Sequence, residues 1–278
     1  MNFNLNYCAK GSRKIGQDFF KETEQLAKIA NRIEIDFNWP HDKNFEREME
    51  FLVGLAKEKN TGYSVHAPFF DGGLNSFNDD LREAAVKDVY YSIDMASRLG
   101  SKIVVLHPAL EPYGLKIAER EKLEIDSYKK IASYAQSKGI MIGLENEAQT
   151  NFWFPDRACK FEELKKTIAA VGFENFGLTL DIGHANVSGE DYVGAIEKFG
   201  KKLFHIHAHD NFGKEGRNNW LDLHLAPGDG EIRWDGVLKS LEKNNYKGFF
   251  TIECDAANII KGIDFLNKKR LGGGSNHD

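Results

Sequence analysis

The chain has 278 residues, 41% hydrophobic and 28% charged, with a formal net charge of −5. That length fits a single α/β barrel with a sizeable core, and the acidic balance argues against broad non-specific binding to nucleic acid. No apolar run is long enough to span a membrane, the start MNFNLNYCAK is not a signal peptide, and Cys8, Cys159 and Cys254 are too few and too scattered for a disulfide framework, so a cytoplasmic location is expected.

Short β-like runs recur along the chain: FNLNY (3–7), RIEIDF (32–37), YSVHAP (63–68), KIVVLHPA (102–109), MIGLENEA (141–148), FGLTLDIG (176–183), LFHIHAHD (203–210) and GFFTIEC (248–254). Segments with apolar residues at helical spacing separate them, among them FFKETEQLAKIA (19–30), FEREMEFLVGLAKEK (45–59), LREAAVKDVYYSIDMASRLG (81–100) and the stretch around YKKIASYAQSKG (128–139). Eight strand–helix units without a linker predict one (β/α)8 barrel over 1–270, because closure leaves no sheet edge. An open doubly wound sheet would use the same alternation. The end LGGGSNHD (271–278) reads as a flexible tail.

The strands also alternate in polarity. Leu203, His205, His207 and His209 share one face of their run; Phe204, Ile206 and Ala208 share the other. Glu34 and Asp36 alternate with Ile33, Ile35 and Phe37, and Asn4 and Asn6 with Phe3, Leu5 and Tyr7. In a barrel the apolar face meets the helices, so the polar face points into the lumen. Polar groups there cost free energy unless they are paired or bind a metal, which marks a site.

Late in the strands, on the inward face, stand His66, His107, Glu145, Asp181, His207 and Glu253; His184, Asp222 and His224 lie just beyond strand ends. Active sites of such barrels sit at this rim. Taken singly, a strand histidine reads as a hydrogen-bonded core residue, and an Asp before Gly as a turn or cap. Together, five imidazoles and four carboxylates at one end point to divalent metal: Zn²⁺, with Mn²⁺ or Fe²⁺ as alternatives, and no organic cofactor. His205 reads as deeper in the lumen, and His209 as a residue facing substrate or solvent.

The stretches SVHAP, VVLHPA, GLENEA, LTLDIGHAN, HIHAHDN, DLHLAPGDGEI and TIEC, in that order over 63–254, resemble the xylose isomerase-like TIM-barrel superfamily. That group holds sugar isomerases and epimerases, inosose dehydratases and endonuclease IV-type enzymes. The resemblance to its isomerase branch implies one ion held by Glu145, Asp181, His207 and Glu253, with Glu145 and Glu253 as an acid/base pair. The resemblance to its endonuclease IV branch implies three ions: one on Glu145, Asp181, His207 and Glu253, one on His66, His107 and Glu145, and one on His184, Asp222 and His224.

Because Asp222 and His224 are both present, the leading expectation is a multinuclear phosphoester hydrolase acting on a small or nucleotide-like substrate. A sugar or sugar-phosphate isomerase or epimerase with one ion is the alternative, and a metal-binding barrel without catalysis the third. DNA is disfavoured: the loop FFDGGLNSFNDD (69–80) has three aspartates and no Lys or Arg. The loop AKGSRK (9–14) offers Lys10, Arg13 and Lys14 to a phosphate, or is an ordinary solvated turn. Trp39, Phe69, Phe70, Trp153, Phe154 and Trp220 in rim loops could stack on a sugar or base, or pack the loops together. Arg217 in KEGRNNW (214–220) is a candidate anion contact.

Overall fold

In a computed structural model, which describes residues 4–11, 18–36, 44–68, 73–110, 117–150, 156–217 and 220–272, eight parallel strands close into a barrel in sequence order. The strands are β1 (Asn6–Gly11), β2 (Arg32–Asp36), β3 (Gly62–His66), β4 (Ile103–Leu106), β5 (Met141–Glu145), β6 (Phe176–Asp181), β7 (Leu203–Ala208) and β8 (Phe249–Ile252). The helices are α1 (Phe19–Ile29), α2 (Phe45–Lys59), α3 (Asp79–Arg98), α4 (Ile117–Ser137), α5 (Asp156–Cys159), α6 (Phe161–Val171), α7 (Ile182–Ser188), α8 (Tyr192–Phe199), α9 (Trp234–Lys243) and α10 (Ala256–Gly272). Asp18 and Asn78 cap α1 and α3 by accepting hydrogen bonds from first-turn amides. None of the helices, among the described residues, is long and apolar enough to cross a membrane.

The polarity alternation sorts as the strand geometry requires. Ile33, Ile35, Val104, Leu106, Ile142, Leu144, Leu178, Leu180, Ile206, Phe250 and Ile252 face outward. They pack with Leu26, Leu52, Ile93, Ile131, Leu164, Ile196 and Val237 of the helices into one core. The opposite parity fills the lumen with polar groups. Glu34 Oε2 accepts from Ser64 Oγ at 2.8 Å and lies 2.8 Å from His205 Nε2, which also lies 2.9 Å from Thr251 Oγ1. All four side chains are fully buried. Burial, aided by the nearby His207, lowers the basicity of His205; Glu34 only partly offsets this.

Three boundaries differ from the sequence reading. β1 begins at Asn6 and runs to Gly11, so Ala9 and Lys10, expected in a basic loop, belong to the strand. The reason is pairing: Lys10 and Gly11 register with Glu34 and Ile35 of β2, which holds the chain extended past its apolar segment. The α4 helix starts at Ile117, well before the apolar periodicity made it visible, because its first turns carry mainly charged residues. The α10 helix runs to Gly272, so Leu271 and Gly272, expected in the tail, are helical.

Candidate metal centre

The rim donors fall into groups whose ligand atoms lie within 4.8 Å of one another: Glu145, Asp181, His207 and Glu253; His66, His107 and Glu145; His184, His209, Asp222 and His224; and, deeper, Glu34, His205 and His207. Parity delivers the first two, since each residue stands within one position of its strand's end, pointing inward. Glu145 belongs to both.

In the acidic group, His207 Nδ1 stands 2.9 Å from Glu145 Oε1 and 3.0 Å from Glu253 Oε2, and Asp181 Oδ2 lies 3.9 Å away. His207 Nε2 is 2.8 Å from Glu34 Oε1, close enough for an ion-pair contact but without hydrogen-bond alignment. Burial disfavours charge on His207. Glu145, Glu34 and Glu253 outweigh it and hold the imidazole well above its ordinary range. Burial likewise opposes ionisation of Glu145 and Glu253. His207 and His107 hold the first well below the usual carboxylate range, and Lys10 followed by His207 does so for the second. Glu145 Oε2, Asp181 Oδ2 and Glu253 Oε2 are buried oxygens that carry no hydrogen bond among the described residues. A cluster of buried carboxylate oxygens without donors is what a divalent cation resolves, so these residues fit an ion.

Beside it, His66 Nε2 and His107 Nε2 face each other at 2.9 Å, with Glu145 Oε2 at 3.5 and 3.1 Å respectively. His66 donates from Nδ1 to Ala67 O at 2.9 Å. His107 Nδ1 meets Glu147 in a short ion pair. Burial would lower the His107 pKa, but Glu147 and Glu145 raise it to about 10. Orientation of a ligand histidine by a carboxylate is a recurrent feature of metal sites. Glu147 was absent from the sequence reading, although its parity with Glu145 in GLENEA carries the signal.

The third group joins strand ends to the loop 221–232. Asp181 caps α7 by accepting from His184 N at 2.7 Å, and Asn146 ties β5 to β6 through the Asp181 backbone, at 2.9 Å to its carbonyl and 2.8 Å from its amide. Asp210, fully buried, fixes the loop: its carboxylate accepts from Gly228 N, Ile232 N and Trp234 Nε1 at 2.8, 3.1 and 2.8 Å, and its backbone pairs with Leu225. A Cβ on Gly230 would lie 2.3 Å from Asp210 Oδ1, so only glycine lets the loop close against that carboxylate. His224 sits at φ 45°, a left-handed conformation uncommon outside glycine, and its Nε2 is 3.0 Å from Asp222 Oδ2. Asp222 Oδ2 is also 3.3 Å from His184 Nε2. Burial opposes charge on His224, yet Asp222 raises its pKa to about 9.

The expected substrate contacts fare differently. Lys10 reaches into the site but is paired, its Nζ 2.6 Å from Glu253 Oε1 and 3.8 Å from Asp36 Oδ1. Burial opposes its charge; Asp36 and Glu253 outweigh that and hold it well above its ordinary range. His209 is fully buried, with Nε2 3.0 Å from Asp181 Oδ1 and 3.7 Å from Asp222 Oδ1, so it stands among the donors instead of facing solvent. Arg217 is exposed, its guanidinium 5.6 Å from the Phe212 ring centroid. Trp220 is 71% exposed, its backbone paired with that of Arg217. Arg13, Lys14, Trp39, Phe69, Phe70, Trp153 and Phe154 lie outside the described residues.

A sequence model of the family described as "Xylose isomerase-like TIM barrel" matches residues 22–269. An uncharacterized protein of Methanocaldococcus jannaschii is 32% identical over 211 residues, which are 74% of this chain and 69% of that protein. An inosose dehydratase of Geobacillus thermodenitrificans is 23% identical over 245 residues, 80% of this chain and 76% of the relative. The crystal structure of a D-tagatose 3-epimerase-like protein superposes with a TM-score of 0.85 at 25% identity, covering 97% of this chain and 98% of the other.

Proposed function

This chain belongs to the xylose isomerase-like TIM-barrel family, and from that membership together with the acidic group we propose a metal-dependent enzyme of the sugar isomerase and epimerase class. It moves a proton on or between adjacent carbons of a ketose or a related polyol. The observation that carries this reading is the placement of two carboxylates, Glu145 and Glu253, within 4.8 Å of each other and of Asp181 and His207. The relatives described by activity are an epimerase-like protein and a dehydratase, whose reactions rearrange bonds at carbon. They favour proton transfer over the phosphoester hydrolysis expected first from the sequence, and they do not support an endonuclease IV-like activity.

Glu145, Asp181, His207 and Glu253 would hold a divalent ion, with three carboxylates and one imidazole that suit Mn²⁺ as readily as Zn²⁺. Bound there, the ion would supply a Lewis acid that acidifies the carbon next to a carbonyl. The protein's own groups divide the remaining work. Lys10 Nζ, 2.6 Å from Glu253 Oε1, keeps the Glu253 carboxylate ionised beforehand, so that it takes a proton from substrate. Glu145 is 1% exposed and Glu253 16% on their side chains, so Glu253 faces the entrance and Glu145 works from the inner side. Glu34, beside His207 Nε2, keeps the ring turned so that Nδ1 faces Glu145 and Glu253.

The test is uptake of solvent deuterium into ketoses such as D-tagatose by protein loaded with Mn²⁺ or Zn²⁺. Incorporation that disappears in Glu253→Gln supports the reading; no exchange with any ketose tested sinks it. A multinuclear phosphoesterase remains a second reading, favoured by one observation, the additional His66, His107 and Glu145 group. Turnover of an aryl phosphodiester that requires His107 would decide for it.

A further inference from the structure

The face that α4 turns inward is not apolar throughout. Arg120, Glu124, Ser127 and Tyr128 recur at helical spacing along it and are all buried. Burying a guanidinium, a carboxylate and hydroxyls costs free energy unless they are bonded. Here Arg120, Glu124 and Ser127 reach the segments that follow β3, β4 and β5. Ser127 Oγ donates to Leu74 O at 2.7 Å and Arg120 Nη1 to Asn75 Oδ1 at 3.1 Å, while Asn75 Nδ2 donates to Leu110 O at 2.9 Å. Glu124 Oε1 accepts from Ala109 N at 2.8 Å and from Tyr128 Oη at 2.5 Å; Glu124 Oε2 accepts from Arg157 Nε and Nη2 at 3.0 and 2.8 Å.

We infer that Glu124 and Arg157 are positioning residues, which set how His107 and Glu147 meet at the mouth of the barrel. The kinetic consequence rests on the proton-transfer reading above; the geometric one does not.

The two oxygens of Glu124 hold the two sides of that contact. Ala109, on Oε1, stands two residues past His107. Arg157, on Oε2, precedes Ala158, whose carbonyl accepts from Glu147 N at 2.9 Å. His107 Nδ1 and Glu147 close the circuit in an ion pair. From Glu124 it runs through Ala109 to His107, across to Glu147, and back through Ala158 and Arg157. None of the four charged side chains in it is more than 10% exposed, so water does not replace a lost bond. His107 Nε2 stands 3.1 Å from Glu145 Oε2, so the circuit also sets a neighbour of the inner carboxylate of the acid/base pair.

The sheet alone does not fix this contact. β4 ends at Leu106 and β5 at Glu145, and the last register between them pairs Leu106 with Leu144. His107 and Glu147 both lie beyond it, on separate segments, and need a tie outside the sheet. An apolar pair of similar volume would fill the space under α4 with less desolvation. It could not hold Ala109 N and α5 at once, which a carboxylate with two oxygens does.

The experiment compares Arg157→Met and Arg157→Lys with Leu241→Ala, which opens a cavity in the core under α9 and controls for lost stability. Imidazole ¹H–¹⁵N spectra are recorded on the metal-free chain at neutral pH, with His107 assigned by the signal lost in His107→Gln. The His107 Nδ1–H should exchange with solvent about tenfold faster or more in Arg157→Met, less so in Arg157→Lys, and within about twofold of wild type in Leu241→Ala. In the Mn²⁺-loaded protein, kcat for deuterium exchange into D-tagatose should fall about tenfold or more in Arg157→Met with KM within about twofold, because a displaced neighbour of Glu145 misaligns the transferring group. A Arg157→Met protein, folded by circular dichroism, whose His107 exchanges as in wild type overturns the inference. If Arg157→Met does not fold, Arg157→Lys, which keeps the charge but replaces the fork by a point donor, carries the same readout, and wild-type exchange there overturns the inference. Lack of ketose exchange in the wild type sinks the proton-transfer reading alone, since the imidazole readout needs no substrate.

Discussion

Two donor groups share the mouth of this barrel and differ in what holds them. Glu145, Asp181 and His207 come directly from β5, β6 and β7, with Glu253 one residue past β8, so the hydrogen-bonded sheet fixes their spacing. The histidine-rich group takes Asp222 and His224 from a loop that is held by the buried carboxylate of Asp210 and includes a residue at positive φ. The strand-held group has three carboxylates, oxygens without hydrogen bonds and an opening toward solvent at Glu253. The loop-held group has one carboxylate and three imidazoles. A rigid frame suits proton transfer, which needs fixed geometry.

Glu145→Gln should break the comparison most severely, because Glu145 belongs to two donor groups. Elemental analysis should show metal lost from the strand-held group, and deuterium exchange should fall by about 10³-fold or more. Next comes Glu34→Gln, which leaves His205 and His207 beside an uncharged amide in a fully buried lumen. Breaking a buried pair costs about 3–5 kcal/mol, to be read in chemical denaturation, and would show that the strand-held group depends on the layer beneath it.

Lys10→Met tests the tie between Lys10 and Glu253. The rate should fall by about 10–100-fold with the fold intact, and the acidic limb of the pH–rate profile should move to higher pH, because the cation that keeps Glu253 ionised is gone. An unchanged profile would show that Lys10 acts elsewhere.

The metal-free protein should show a pH dependence that sharpens the contrast further. His107 and His224 are raised to about 10 and about 9 in the folded chain, against about 6.5 when unfolded. A raised pKa means the folded state binds the extra protons, so this stability is fully present below about pH 6.5 and is lost as pH rises toward 9–10. Stripped protein should therefore unfold more easily at pH 9.5 than at pH 6.5, by on the order of 1 kcal/mol after allowing for the partial exposure of His224. Metal-loaded protein should not follow that trend. The smallest effect belongs to Arg217→Ala, an exposed residue that is a member of neither group: stability should change by less than about 0.5 kcal/mol, and exchange activity hardly at all.

Much of this was legible in the sequence, because the relevant signals are local. The alternation of His205, His207 and His209 with Phe204, Ile206 and Ala208, or of Glu34 with Ile33 and Ile35, states which side chains leave the sheet on the polar face. Eight such runs separated by helical periodicities state the barrel, and the position of a donor late in its run states that it reaches the rim. The α2 helix has the bounds its apolar spacing predicts, Phe45–Lys59. Parity says nothing of which inward residues meet. Lys10 and Glu253 stand 243 positions apart, and Glu34 and His205 stand 171 apart. Only closure of the sheet and its strand registers bring them into contact across the lumen. The same holds for His209, whose face was legible but whose neighbours were set by Gly183 on α7 and by a loop that Asp210 folds back. Side-chain period is a property of a single strand; a metal centre is a property of several strands at once, and its membership is decided where the tertiary structure places their ends.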